Sequence, residues 1–230
     1  MAELVYAPVL GTGSRKGLEV RVLFWAHMII LFDTDGVIIQ REMYFSQRFS
    51  EEFGVPLEKI LPFFKQEYQL CIVGKADIRV ELSKYVIEWG WKKTVDELLA
   101  YWFSHESKIN EQMLKEVKVL RNTGVRCYLH TNNEKYRSKY LFEKLGLKKY
   151  FDGAFSSAGL GFKKPQQEFW SSIYNYLDKP DKHSVLVWDN EEGNIHSARD
   201  FGFKAELYSD FGSYVRDMKK LDGQINLCKK

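Results

Sequence analysis

Long apolar runs are missing from this chain: no stretch approaches the roughly 20 residues that a helix needs to cross a bilayer, so no membrane contact is expected. Nor is one sign of charge in excess. The net charge is +3 over 230 residues with acids and bases interspersed, which offers no basic face to nucleic acid or to an anionic membrane surface. Cysteine is scarce as well. Cys71, Cys127 and Cys228 are odd in number, far apart and without metal-ligand spacing, which excludes a disulfide scaffold and a zinc site and suits reduced thiols in a cytoplasmic protein. Internal repeats and low-complexity segments are absent, and the opening residues carry Glu3 where a secretory leader is basic. What is present is a chain 45% hydrophobic and 15% aromatic, ample for one large domain or for a core with an insertion.

Its organising stretch is Met28-Ile29-Ile30-Leu31-Phe32-Asp33-Thr34-Asp35-Gly36-Val37. The apolar run is of strand length and does not alternate, as expected of a strand covered on both faces in a parallel sheet. It ends in two carboxylates and a glycine. In α/β domains function gathers in the crevice at the carboxyl ends of the strands, which is where Asp33 and Asp35 stand; the plainer reading of Asp35-Gly36 is a β-turn. Residues 1–27 read as an extension appended by cloning, with a linker-like Gly11-Thr12-Gly13-Ser14; Leu18 to Phe24 alternates weakly enough to form an edge strand instead.

After Val37 the spacing turns helical, with Met43, Phe45, Phe49 and Phe53 on one face before Gly54-Val55-Pro56 breaks the segment. Amphipathic stretches follow at 57–70, 76–89, 94–105 and 110–122, and no strand is expected between residues 40 and 123. A helical block of about 80 residues is too long for a simple crossover, which predicts a cap at 41–106 with Tyr85, Trp89, Trp91, Tyr101, Trp102 and Phe103 as its core. From Gly124 the pattern alternates: strands at 125–130, 153–156, 184–188 and 203–208, helices at 134–145, 166–177 and 192–200. The fold class is therefore α/β, a Rossmann-like parallel sheet with helices on both faces, built from 28–40 and 107–230 and carrying an inserted helical cap.

The strand tips carry Asp33 and Asp35, then Thr131-Asn132-Asn133, then Lys163-Lys164-Pro165, then Asp189-Asn190-Glu191-Glu192. Carboxylates from two strands, Asp33 and Asp189, suit a hard cation such as Mg²⁺; a hydroxyl, an amide and a lysine suit phosphate oxygens. Each has a bland alternative, Thr131 as a turn residue and Asp189 as a helix N-cap.

Taken together, these four segments in this order resemble the haloacid dehalogenase superfamily, in its capped phosphatase branch, over residues 28 to about 210. The first motif is Asp33-Thr34-Asp35-Gly36-Val37, the second Thr131 after an apolar strand, the third Lys164-Pro165 and the fourth Asp189 in Val185-Leu186-Val187-Trp188-Asp189-Asn190. The resemblance implies that Asp33 is a nucleophile forming an aspartyl-phosphate, and that Asp35 protonates the leaving oxygen and then activates water. It implies Mg²⁺ on Asp33, Asp189 and the backbone carbonyl of Asp35, a phosphate cradle of Thr131, Asn132 and Lys164, and a small phosphorylated substrate. Lys163 is the rival to Lys164. An anionic nucleophile facing a phosphate dianion meets about 8 kcal/mol of repulsion at close range and an effective dielectric near 20, which the metal and Lys164 offset. Asn190 departs from relatives that carry a second aspartate there, and metal affinity is expected to be altered. Leaving-group contacts are expected from Gln40, Arg41 and Gly74-Lys75, which favours a sugar phosphate. A sugar-phosphate mutase would use the same residues, and a non-catalytic binding module is the remaining alternative; dehalogenation does without Asp35 and the metal.

Overall fold

The computed structural model describes residues 27–227. The extension expected before residue 27, Cys228 and the terminal lysines lie outside the described residues.

Five parallel strands form the sheet: β1 (Ile29–Asp33), β4 (Arg126–Thr131), β5 (Gly153–Ser156), β6 (Val185–Asp189) and β7 (Lys204–Leu207), in the order β5-β4-β1-β6-β7. β1 is central, with Ile30 opposite Cys127 on one side and Leu186 on the other. Because its residues alternate between faces, Ile30 and Phe32 pack into one apolar layer and Ile29 and Leu31 into the other. That is why the run is apolar throughout. The first layer is closed by Met113, Leu114 and Val117 from a helix at Glu111–Asn122, and the second by Phe169, Trp170 and Ile173 from one at Gln167–Tyr176. The register sets Asp33 beside His130 and Phe32 beside Trp188, so Asp33, Thr131 and Asp189 end at one edge.

Between Gln40 and Lys108 stand five helices, α1 (Phe45–Phe53), α2 (Leu57–Lys65), α3 (Glu67–Cys71), α4 (Ile78–Ser83) and α5 (Val95–His105). They have an aromatic core of their own: Phe45 stacks on Trp102 at 4.9 Å between centroids, and Phe49, Phe63 and Trp89 are fully enclosed. Tyr85, Trp91 and Tyr101 pack on its margin. The helical stretch expected at 57–70 is broken at Gln66, and that at 76–89 shortens to Ile78–Ser83.

One expectation is corrected. A strand does lie between residues 40 and 123: β3 (Lys108–Ile109) pairs antiparallel with β2 (Ile39–Gln40), forming a ribbon that joins the helical insert to the sheet at both ends. Two residues per strand are too few to leave a period in the sequence.

Asn110 anchors this ribbon to the sheet layer. Its Nδ2 donates to the Val37 carbonyl and to Tyr208 Oη, each at 3.0 Å, and its Oδ1 caps the following helix at Met113 N. Asn110→Ala removes the cap and strands two buried partners, so a loss of about 2–4 kcal/mol is expected. Equilibrium denaturation measures it, and a loss under about 0.5 kcal/mol would contradict the anchoring role.

Candidate active site

Asp33 leaves β1 with its carboxylate buried. Its Oδ1 accepts from the Thr34 amide and from Lys164 Nζ, both at 2.8 Å. The same ammonium donates to Asp189 Oδ2 at 2.8 Å, so one lysine bridges two acids brought in by different strands. Asp189 is held further by the Glu191 amide at 2.8 Å and by Asn194 Nδ2, which reaches both oxygens at 3.0 Å. Burial drives the Asp33 pKa well up, with the neighbouring Asp189 and Asp35 charges adding to it against Lys164. Asp189 is likewise raised by burial, but the Lys164 ammonium, with the hydrogen bond from Asn194, more than offsets this and leaves its carboxyl below the ordinary range. The Lys164 ammonium is held charged, because the two carboxylates outweigh its own burial. His130 beneath them is neutral: burial and Lys164 bring its pKa down to about 3.

Asp35, two residues on, has a different environment. Arg137 Nη2 at 2.9 Å and Arg41 Nη2 at 3.2 Å share its Oδ1, and Asn133 Nδ2 donates to Oδ2 at 2.6 Å. Burial raises its pKa, but the two guanidinium groups win and lower it. Asn133 Nδ2 also reaches Thr131 Oγ1 at 2.7 Å, linking the second motif to the first. Arg41 Nε donates to Glu106 Oε2 at 3.1 Å, and Glu106 also accepts from the Phe45 amide and, at its carbonyl, from Arg137. The charge network thus spans both connections to the helical insert.

These groups floor a cavity of about 1050 Å³, with Tyr44, Phe64, Tyr68 and Trp102 of the insert on the opposite side. Asp33, Asp35, Gln40, Arg41, Thr131, Asn132 and Lys164 all line it. Asn132 does so with its side chain committed: it receives the Lys164 amide at 2.9 Å and donates to the Lys164 carbonyl at 3.1 Å, fixing the lysine loop. Lys163 instead reaches Gln69 in the insert. The expectation for Lys75 is corrected: it is exposed and absent from the cavity wall, and its neighbour Gly74 lies so close to the Ala158 carbonyl that a Cβ there would approach it to 2.5 Å. That pair forms a contact between insert and core. Sequence reasoning missed Arg137, Glu106 and Asn133 as site residues. Arg137 and Glu106 sit in polar stretches indistinguishable from solvated helix ends, whereas Asn133 lay within the second tip.

Residues 30–206 match the haloacid dehalogenase-like hydrolase family. The chain belongs to that family. It is 23% identical over 184 residues to a phosphorylated carbohydrates phosphatase of Thermotoga maritima, covering 76% of this chain and 82% of the relative. It is 27% identical over 119 residues to the bifunctional epoxide hydrolase 2 of Rattus norvegicus, covering 50% of this chain and only 21% of that protein. Among solved structures, a HAD family enzyme of Bacteroides thetaiotaomicron superposes with a TM-score of 0.70 at 17% identity, over 81% of this chain and 97% of the other; its complex with magnesium and inorganic phosphate gives 0.64 at 18%. A 2-haloacid dehalogenase of Pseudomonas syringae gives 0.59 at 17% identity, over 79% of this chain and 86% of the other. Such structural likenesses establish the shared fold.

Asp33, His130 and Asp189 place one ligand atom each within 4.8 Å of the others, an arrangement consistent with a divalent metal. The oxygens at this edge are hard donors of the kind Mg²⁺ takes, and a cation beside Asp33 would oppose the rise in its pKa. The residues fit such an ion. No helix among the described residues is long and apolar enough to cross a membrane.

Removing the bridging lysine tests the charge balance. Lys164→Met leaves two buried carboxylates facing each other and is expected to cost about 3–5 kcal/mol at pH 7. Without the ammonium, Asp33 in the fold titrates still further above the roughly 3.9 of an unfolded chain. The folded variant then holds a proton that the unfolded chain lacks, so its deficit narrows as pH falls from 7 towards 4. Urea denaturation at several pH values measures this; a deficit that widens on acidification would contradict it.

Proposed function

We propose that this protein is a Mg²⁺-dependent phosphomonoesterase acting on a small phosphorylated metabolite, a sugar phosphate being the class favoured. The observation that supports this most directly is the pair of carboxylates on one cavity floor in opposite environments. Asp33 is bridged to Lys164 and Asp35 is clasped by Arg137, Arg41 and Asn133. A hydrolysis through a phosphorylated carboxylate requires that division: one acid to attack phosphorus, another to move protons.

In the first half of the reaction an Asp33 oxygen bonds to phosphorus while the ester P–O bond breaks, and Asp35 delivers a proton to the departing alkoxide. In the second half Asp35, now ionised, takes a proton from the water that attacks phosphorus; the acyl phosphate opens, phosphate leaves and Asp33 is restored. The clasped carboxylate in the structure corresponds to this second state. Lys164 and the Thr131 hydroxyl stand where phosphate oxygens would need donors. A bound Mg²⁺, held by Asp33, Asp189 and the Asp35 carbonyl, would supply positive charge against the phosphate dianion. Gln40 and Arg41 line the cavity, and we assign them to the leaving group. The likeness to the Thermotoga phosphorylated carbohydrates phosphatase supports the substrate class.

The test is inorganic phosphate release from a panel of sugar phosphates and simple phosphate esters, with magnesium and with chelator. Turnover with at least one ester, lost with chelator and in D33N, is expected. D35N should reduce kcat by about 10²–10⁴-fold while leaving the fold intact. Phosphoryl return to a second hydroxyl of the substrate, without phosphate release, would favour a mutase; no chemistry on any ester would remove the enzymatic reading.

A further inference from the structure

We infer that Asn133 is a positioning residue for the phosphate: by spending both protons of its amide nitrogen on Asp35 and on Thr131, it fixes the direction in which the Thr131 hydroxyl gives its own proton. Its purpose depends on the proposed phosphate chemistry; its content is hydrogen-bond geometry.

Asn133 is 4% exposed, and its Nδ2 lies 2.6 Å from Asp35 Oδ2 and 2.7 Å from Thr131 Oγ1. An amide nitrogen donates and does not accept, so both bonds run from Asn133. The two ends of an amide are alike in shape, and their partners decide which faces where; with the ends exchanged, Oδ1 would meet the Asp35 carboxylate with no proton between them. The carboxylate therefore locks the amide. The backbone is held as well, since the Asn133 carbonyl accepts long bonds from Ser138 Oγ and from the buried Ser157 Oγ, each at 3.4 Å.

A hydroxyl has one proton to give and two lone pairs to receive with. At Thr131 Oγ1 the Asn133 amide occupies a lone pair, and no acceptor among the described residues takes the proton. The carboxylate on the far side of the same amide is the internal group that would capture it. Arg137 and Arg41 hold Asp35 Oδ1, and Asn133 covers Oδ2, standing between that oxygen and the hydroxyl. Thr131 lines the cavity beside Lys164 and Asp33, so the remaining proton is left for an oxygen of a bound phosphate. A donor that is kept from turning away meets such an oxygen without reorganisation. The adjacent asparagines thus divide the work: Asn132 fixes the loop of Lys164, and Asn133 fixes the hydroxyl of Thr131.

The test is the affinity of the full chain for inorganic phosphate, with magnesium present, measured by isothermal titration for the wild type, N133L, T131V and the double variant. Leucine is close to asparagine in size and lacks both donors, so the Thr131 hydroxyl is expected to turn to Asp35, directly or through a water. N133L should then weaken phosphate binding about tenfold or more, as T131V does, the worth of one hydrogen bond to a charged group. The double variant should bind no more weakly than T131V alone, the mark of two residues acting through one bond. A merely structural Asn133 would lose affinity equally in both backgrounds. Losses that multiply in the double variant, an N133L that binds as the wild type does, or a wild type that binds no phosphate overturn the inference. If N133L does not fold, N133A enters the same cycle. Phosphate binding needs no turnover, so a chain that binds phosphate in this way and hydrolyses no ester removes the phosphatase reading and leaves the role of Asn133 standing.

Discussion

Charges buried at the end of a sheet persist only when they are paired, and the Lys164 ammonium between Asp33 and Asp189 is the pairing on which this site depends. One residue from the loop after β5 ties together the tips of β1 and β6. The tie explains the neighbouring commitments: Asn132 grips the backbone of Lys164 on both sides, and Asn194 with the Glu191 amide saturates Asp189. What is left is one oxygen of Asp33, buried and facing the cavity side of β1. That remaining oxygen is where the proposed chemistry begins.

A second charge cluster, centred on Asp35, connects the site to the insert. Arg41 lies just after β2, Glu106 just before β3, and Arg137 follows β4; their guanidinium and carboxylate groups meet on Asp35 and on each other. The group proposed to move protons is therefore in contact with both connections through which the helical insert joins the sheet. A carboxylate with three donors is stabilised as the anion, and one of those donors must yield before it can carry a proton. Arg41 is the more exposed of the two arginines.

The parallel sheet and the positions of Asp33, Thr131, Lys164 and Asp189 were legible because each follows a segment with a strong local signal: a strand apolar on both faces, or a lysine fixed before proline. The aromatic composition of 41–106 likewise announced a packed helical unit. Lys75 was misplaced because nothing local distinguishes a lysine on a cavity wall from one beside a backbone contact at Gly74. The β2–β3 ribbon escaped because two-residue strands have no period.

The sequence by itself determined the order of the sheet strands and which residues follow each of them, since these follow from side-chain alternation and helix periodicity within a few residues. Only the tertiary structure decided which oxygen faces which donor. Arg137 is separated from Asp35 by 102 residues, and Asn190 reaches Asp33 Oδ2 only because Gly36 leaves room. Such pairings depend on the register of β1 between β4 and β6 and on how the insert closes the cavity. Those are long-range packing outcomes that no local pattern encodes.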